Sequence, residues 1–309
     1  MQAVAIQAYE IRLTVIRPSE EPSPKGLTIG VRLSTLLSGT KPHSFPGPVS
    51  DRPSAPPSGG VPPGMLHPNV AEGVHRIEDA YTNWYLVEDG DRLTVVDAGV
   101  PTSWGSLEDA LSTLGRSTGD VEAVVLTHAH FDHVGFAERA RRELGVPVWV
   151  HEEDVPLTRN PMGYAHERGR SWYLANPGAL PIMASLLRHR AFWPSPVAEV
   201  RTYRDEAPDV PSSPRIVASP GHTYGHCALH LADRDTLIAG DAIVMLDPYT
   251  GRRGPRIVAR AATAHSDRAL ESLDALEATG ARTVLTGHGE PWTGGVEEAC
   301  ALARSAGVS

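Results

Sequence analysis

Val121-Glu122-Ala123-Val124-Val125-Leu126 runs directly into Thr127-His128-Ala129-His130-Phe131-Asp132-His133. The first six residues form an almost unbroken apolar run, the pattern of a short strand buried within a sheet. Immediately beyond it stand His128, His130, Asp132 and His133, each able to offer a lone pair to a metal ion. Where a chain leaves a sheet its side chains can converge on one point, and scaffolds mount reactive groups on such loops. A histidine pair alone would weigh little, because histidine also sits in cores and on surfaces without binding anything.

Three later segments strengthen the reading. Pro220-Gly221-His222, Gly240-Asp241 and Gly287-His288-Gly289 each place a His or Asp just past a strand-like stretch, beside a glycine that permits close backbone approach. Working outward, strands are predicted at 74–77, 82–87 and 92–96, the last after the turn Asp89-Gly90-Asp91, as an antiparallel meander. Helical spacing covers 107–114 and 136–144, with a strand at 146–150. Further strands are expected at 215–218, 228–231, 236–239 and 283–286, with a helix over 266–279. Residues 152–195 change character, with Trp172, Tyr173, Leu186, Leu187, Phe192 and Trp193 among Arg and Pro, and read as a helical insertion. From Lys41 to Gly64 proline, glycine and serine dominate, so residues 1–64 are expected to be a disordered or non-core extension and 65–309 the folded domain.

At 309 residues and 41% hydrophobic, the chain can bury one substantial core but not two large domains. A formal charge of −9 leaves no broad basic surface, which argues against nucleic acid and for a small-molecule substrate. Cys227 and Cys300 are too few for a disulfide framework and are expected to be free thiols. No basic segment precedes an apolar stretch near the start, and no run approaches the ~20 apolar residues a bilayer requires. A cytoplasmic protein without a membrane partner, monomer or homodimer, is the expectation.

The His128–His133 run with His222, Asp241 and His288 downstream, together with Val95-Val96-Asp97-Ala98-Gly99, resembles the metallo-β-lactamase superfamily over roughly residues 70–300. The resemblance implies an α+β fold, a four-layer αβ/βα sandwich of two mixed β-sheets flanked by helices. It also implies two divalent metal ions, zinc first, with iron or manganese also accepted by this ligand set. His128, His130 and His222 would hold one ion, Asp132, His133 and His288 the other, and Asp241 would bridge them. Asp132 and Asp241 would thereby serve catalysis, the nucleophile being a metal-bridging hydroxide. Asp97 and His226 would support the ligands from behind, although Asp97 also suits a simple strand-end turn. His151, His166 and His189 are assigned to solvated surfaces.

The superfamily hosts several chemistries. Its true β-lactamases lack an aspartate at the position of Asp241, its flavin-coupled di-iron branch has glutamate where His130 stands, and its RNA-processing branch would want a basic exosite. Hydrolysis of an ester-like bond remains: thioester, lactone or carboxylic ester. Tyr249, Arg252 and Arg253 follow Asp241, and in the branch resembling glyoxalase II this loop holds the substrate's acidic tail. Lactonases of the superfamily place a tyrosine soon after the bridging aspartate; here Ala242-Ile243-Val244 follow, leaving Tyr249 or Tyr224 to serve and favouring a thioester. The rival readings are a mononuclear iron-dependent oxygenase of the same fold, like the persulfide dioxygenases, and a non-enzymatic metal-binding module.

Overall fold

In the computed structural model, which describes residues 64–173 and 176–309, the first sheet runs in sequence order. Its strands are β1 (Met65–Ala71), β2 (Val74–Asp79), β3 (Thr82–Asp89), β4 (Arg92–Val96), β5 (Val121–Val125), β6 (Val148–His151) and β7 (Arg201–Tyr203). β1 to β4 form the antiparallel meander, and β4 to β7 are parallel. The remaining strands are β8 (Arg215–Ala218), β9 (Cys227–Leu231), β10 (Thr236–Gly240), a hairpin of β11 (Val244–Leu246) and β12 (Arg253–Arg256), and β13 (Thr283–Thr286). The second sheet has the order β13-β10-β9-β8, parallel at its first pair and antiparallel afterwards.

Period-two alternation along the strands sets the layers. Trp84 and Leu86 of β3, Val95 of β4 and Val124 of β5 face one way, against Leu107 and Leu111 of α1 (Ser103–Thr113) and Ala140 of α2 (Ala137–Glu143). Their neighbours Tyr85, Val87, Val96 and Val125 face the other way and meet Cys227, Leu229, Ile238 and Leu285 of the second sheet. Beyond that sheet, Leu237, Ala239 and Val284 pack under Leu273 and Leu276 of α5 (Ser266–Glu277) and Ala299, Cys300 and Ala303 of α6 (Val296–Ala306). Helices, sheet, sheet, helices is the four-layer α+β sandwich expected from the sequence, each fully buried aliphatic side chain contributing roughly 1.5–3 kcal/mol.

Residues 152–195 contain a 3-10 turn at Glu152–Asp154, α3 (Val155–Arg159), a second 3-10 turn at Arg170–Tyr173 and α4 (Leu180–Arg188). Pro156 and Pro181 sit in the first turns of the two helices, where a missing N–H costs nothing. Tyr164, Tyr173, Ile182 and Leu186 of this segment pack with Phe131, Leu246, Tyr249 and Val258, while Trp172 and Trp193 stay exposed. His189 departs from its surface assignment. It is buried at the end of α4, where its Nδ1–H donates to the Ser185 carbonyl (2.9 Å) and satisfies an acceptor of the last turn.

The proline-rich stretch lies outside the described residues except for Gly64. Cys227 and Cys300 are buried free thiols. Among the described residues no helix is long and apolar enough to cross a membrane.

Candidate metal centre

Parallel pairing brings the ligand-type residues together. Val96 of β4 pairs with Val125 of β5, so Asp97 and the Thr127–His133 loop leave the first sheet side by side. Gly240 of β10 pairs with Thr286 of β13, so Asp241 and His288 leave the second sheet side by side. His222 comes from the β8–β9 connection. That loop is held from below by the Gly221 carbonyl, which accepts the His265 N–H (2.9 Å), and by the His222 carbonyl, which accepts the Ala264 N–H (3.1 Å). Gly221 has φ +139°, and a side chain there would overlap the backbone of Ala269 in α5, which is why glycine precedes this histidine.

All seven residues named above converge. His128, His130 and His222 form one buried group whose ligand atoms lie within 4.8 Å of one another, and Asp132, His133 and His288 form a second. Asp241 touches both: its Oδ2 is 3.4 Å from His222 Nε2 and 3.3 Å from His288 Nε2, and its Oδ1 is 3.7 Å from His133 Nε2.

A carboxylate can only accept, so the network assigns the ring protons. Asp97 accepts His133 Nδ1–H (3.0 Å) and the Thr127 hydroxyl (2.9 Å), leaving that hydroxyl oxygen to accept His128 Nδ1–H (3.1 Å). One aspartate thus aims the Nε2 atoms of two histidines inward. Asp97 also accepts the Thr127 N–H (2.8 Å) and sits at φ +59°, so the strand-end turn residue is also the one that orients His128 and His133. His288 donates Nδ1–H to the Tyr81 carbonyl (2.7 Å). That carbonyl belongs to the two-residue turn Ala80-Tyr81 between β2 and β3, where both φ values are positive, +53° and +67°. His226 is fully used elsewhere: Nε2 accepts the Asp241 N–H (3.0 Å), and Nδ1–H donates to Ser219 Oγ (2.9 Å).

The donor set fits cations. Nε2 of His128, His130, His133 and His222 and Oδ1 of Asp241 are buried without a hydrogen-bond partner, a costly arrangement for polar atoms with nothing to bind. Burial disfavours charge on His128, His130 and His222, and neighbouring histidines add to the effect, so these rings are held below the usual imidazole value, His222 at about 4. Neutral imidazole is the metal-binding form. Burial acts the same way on His133, but Asp241, Asp132 and Asp97 outweigh it and raise the ring to about 10. For Asp241 burial favours the acid, yet His288, His133 and His222 together hold it well below the carboxylate range.

His226 is held at about 3 by burial and by His222. Its folded value lies below the ordinary 6.5, so its contribution is complete above pH 6.5 and is lost as pH falls toward 3, by up to about 1.4 kcal/mol per pH unit. The Tm of chelator-treated protein should fall with acidification across that window, and His226→Gln should flatten the fall. Identical slopes for the two proteins would remove His226 as a cause.

A cavity opens over the centre. His130, Asp132, His222, Asp241 and His288 form its floor, and Tyr164, Tyr173, Met183, Leu186 and Phe192 of the 152–195 segment line its walls with Tyr249 and Val258. Tyr249 is thus brought to the cavity, its hydroxyl 2.8 Å from that of Tyr164. Arg252 and Arg253 are exposed on the β11–β12 hairpin and are not brought to the cavity; Tyr224 is also exposed and outside it. The cation that does line the cavity is Arg170.

Sequence reasoning missed Asp154, Asn83 and Arg170. Asp154 is buried and joins two ligand loops: Oδ2 accepts Ala129 N–H (3.1 Å) and the Thr223 hydroxyl (2.8 Å), and Oδ1 accepts Gly225 N–H (2.9 Å). Asn83 donates to the Thr286 (2.9 Å) and Gly289 (2.7 Å) carbonyls and so fixes the His288 loop across the two sheets. Neither lies in a motif, and only the acidic run Glu152-Glu153-Asp154 beyond β6 hinted at the first.

A family model described as the metallo-beta-lactamase superfamily matches residues 77–288, and the chain belongs to that superfamily. It is similar to the Bacillus subtilis protein named "Probable metallo-hydrolase YflN", with 27% identity over 239 residues that cover 73% of this chain and 87% of that protein. Among solved structures it is similar to the metallo-beta-lactamase family protein TTHA1429 from Thermus thermophilus, with 28% identity, a TM-score of 0.54 and 72% of each chain covered. It is also similar to TTHA1623 in a di-iron-bound form, with 27% identity, a TM-score of 0.50, and 70% of this chain and 92% of that one covered.

Proposed function

We propose that the chain is a metal-dependent hydrolase that uses two divalent metal ions to cleave a small ester-like substrate, a thioester, lactone or carboxylic ester. The observation that carries this is Asp241, one carboxylate in contact with a member of each of the two histidine-containing groups. His128, His130 and His222 would hold the first ion, Asp132, His133 and His288 the second, and Asp241 would be shared. Zinc suits the donor set, as does iron, the metal in the similar protein TTHA1623. Bound ions would supply Lewis acidity, acidifying water for attack near neutral pH and polarising a carbonyl. The similarity to a protein named as a metallo-hydrolase supports the same reading.

The chain's own groups do the rest. Asp97 and the Tyr81 carbonyl fix the tautomers of His133 and His288, so that Nε2 faces the centre in both rings. His226 holds the Asp241 backbone in place. Asp132 lines the cavity floor, and its carboxylate would hold a proton released by the attacking water. The aromatic and aliphatic walls exclude bulk water and accept an apolar substrate body.

Metal analysis of the purified protein, paired with rates on thioesters, lactones and carboxylic esters, tests the proposal. Two equivalents per chain are expected, with hydrolysis abolished by a chelator and restored by adding metal. One tightly held iron accompanied by oxygen consumption would replace the proposal with a mononuclear oxygenase. Metal binding without turnover of any substrate would leave a binding module.

A further inference from the structure

Arg170 is the one guanidinium or ammonium side chain lining the cavity among the described residues, and it has no acidic partner there. It is half-buried, its Nε is buried without a hydrogen-bond partner, and its contact with the Met162 carbonyl is long (3.4 Å). Arg260, by contrast, pairs with Glu167 (3.4 Å). The carboxylates on the cavity floor, Asp132 and Asp241, face histidines. A guanidinium stacked on Tyr164 at the wall of this cavity, with a buried Nε–H that no acceptor meets, leaves hydrogen-bonding capacity that an anion could complete.

Its place relative to the chemistry is also set. The Arg170 guanidinium carbon lies 4.3 Å above the Tyr164 ring, and that ring lies 4.2 Å from the His130 ring. The cation therefore sits two ring layers from a residue of the candidate metal centre. Tyr164 is itself held by the hydroxyl of Tyr249, so the stack is buttressed from the other wall.

We propose that Arg170 makes this site selective for substrates with an apolar body and one anionic group, a carboxylate or its equivalent, within a few bonds of the carbonyl to be cleaved. The proposal rests on the hydrolase reading above and gives it a substrate class. The guanidinium fork would bind the anionic group, while Leu186 and Phe192 would cover the apolar part. Recognition of an acidic group, expected from the sequence on the Arg252-Arg253 loop, would thus fall to the 152–195 segment instead.

The test compares the S-butyl thioesters of glutaric acid, with its free carboxylate, and of pentanoic acid on wild-type protein, Arg170→Met and Arg170→Lys. Wild type is expected to prefer the acidic thioester by about tenfold or more in kcat/KM. Arg170→Met should lower that preference by about 10- to 100-fold, mainly through KM, and Arg170→Lys should recover part of it. No preference in wild type, or an equal loss on both thioesters in Arg170→Met, would overturn the proposal. Should neither thioester be cleaved, the thioester part of the hydrolase reading fails, and calorimetric binding of hexane-1-sulfonate, a poor metal ligand, decides the role of Arg170 separately. At least tenfold weaker binding by Arg170→Met is then expected, and equal affinity overturns it. Circular dichroism checks each variant, and Arg170→Gln replaces Arg170→Met if the latter does not fold.

Discussion

Asp241→Asn is expected to lower hydrolysis on the order of 10³-fold or more and to release one of two metal equivalents. The substitution keeps the shape of the side chain and leaves the backbone N–H bonded to His226 (3.0 Å), so the loop should hold. What it removes is a negative charge that three rings, His288, His133 and His222, keep ionised in spite of complete burial. An amide cannot offer anionic oxygen to two cations at once, and its NH2 would point a donor at a cationic centre. Loss of that charge also removes the largest influence raising His133, which favours an uncharged ring there. Metal content, kcat and Tm should be measured together. A variant with two bound ions and kcat within tenfold of wild type would end the assignment of Asp241 as the shared ligand.

The second large effect is expected far from any motif. Asp154→Ala should cost about 3–5 kcal/mol of stability, because it strands the Ala129 N–H, the Thr223 hydroxyl and the Gly225 N–H in a buried site. Burial raises the pKa of Asp154, and these three donors act against that rise, so the carboxylate is costly to keep ionised and more costly to delete. Ala129 lies between His128 and His130, and Thr223 follows His222, so the same change loosens every histidine of one group. Metal affinity is expected to fall about 10- to 100-fold, as when other groups behind ligands are removed. Asp154→Asn, which keeps an acceptor, should lie between the two. Chemical denaturation that places Asp154→Ala within about 1 kcal/mol of wild type would contradict this account.

The legible part of the chain is the part written in residue type. The apolar run before Thr127 announced β5, and the glycine-flanked His222, Asp241 and His288 announced the loops that the structure brings together. The meander from β2 to β4 was readable because its strands alternate or are bounded by turn residues. Several elements escaped. In β1 the register shifts between His67 and Ala71 and Asn69 adopts φ +50°, which breaks the alternation that marks a strand. β7 has three residues, and α6 buries Ala299, Cys300 and Ala303, small side chains that leave a faint apolar stripe. Asp154 and Asn83 were illegible for another reason: each bonds residues distant in the chain, a relation that only the folded structure creates, and Arg170, which stacks on the nearby Tyr164, reaches the cavity only through the fold of its segment.

The turn at Ala80-Tyr81 extends that point to protons. His288 is told which nitrogen keeps its hydrogen by a peptide oxygen that stands 207 positions earlier in the chain. Because the oxygen belongs to the main chain, a change of side chain at position 81 leaves the instruction intact, whereas a residue that rejects φ +67° would erase it without touching any histidine or aspartate. Part of the centre's acid–base identity is therefore inherited as the shape of a hairpin, and sequences that differ in every letter of that turn can transmit it unchanged.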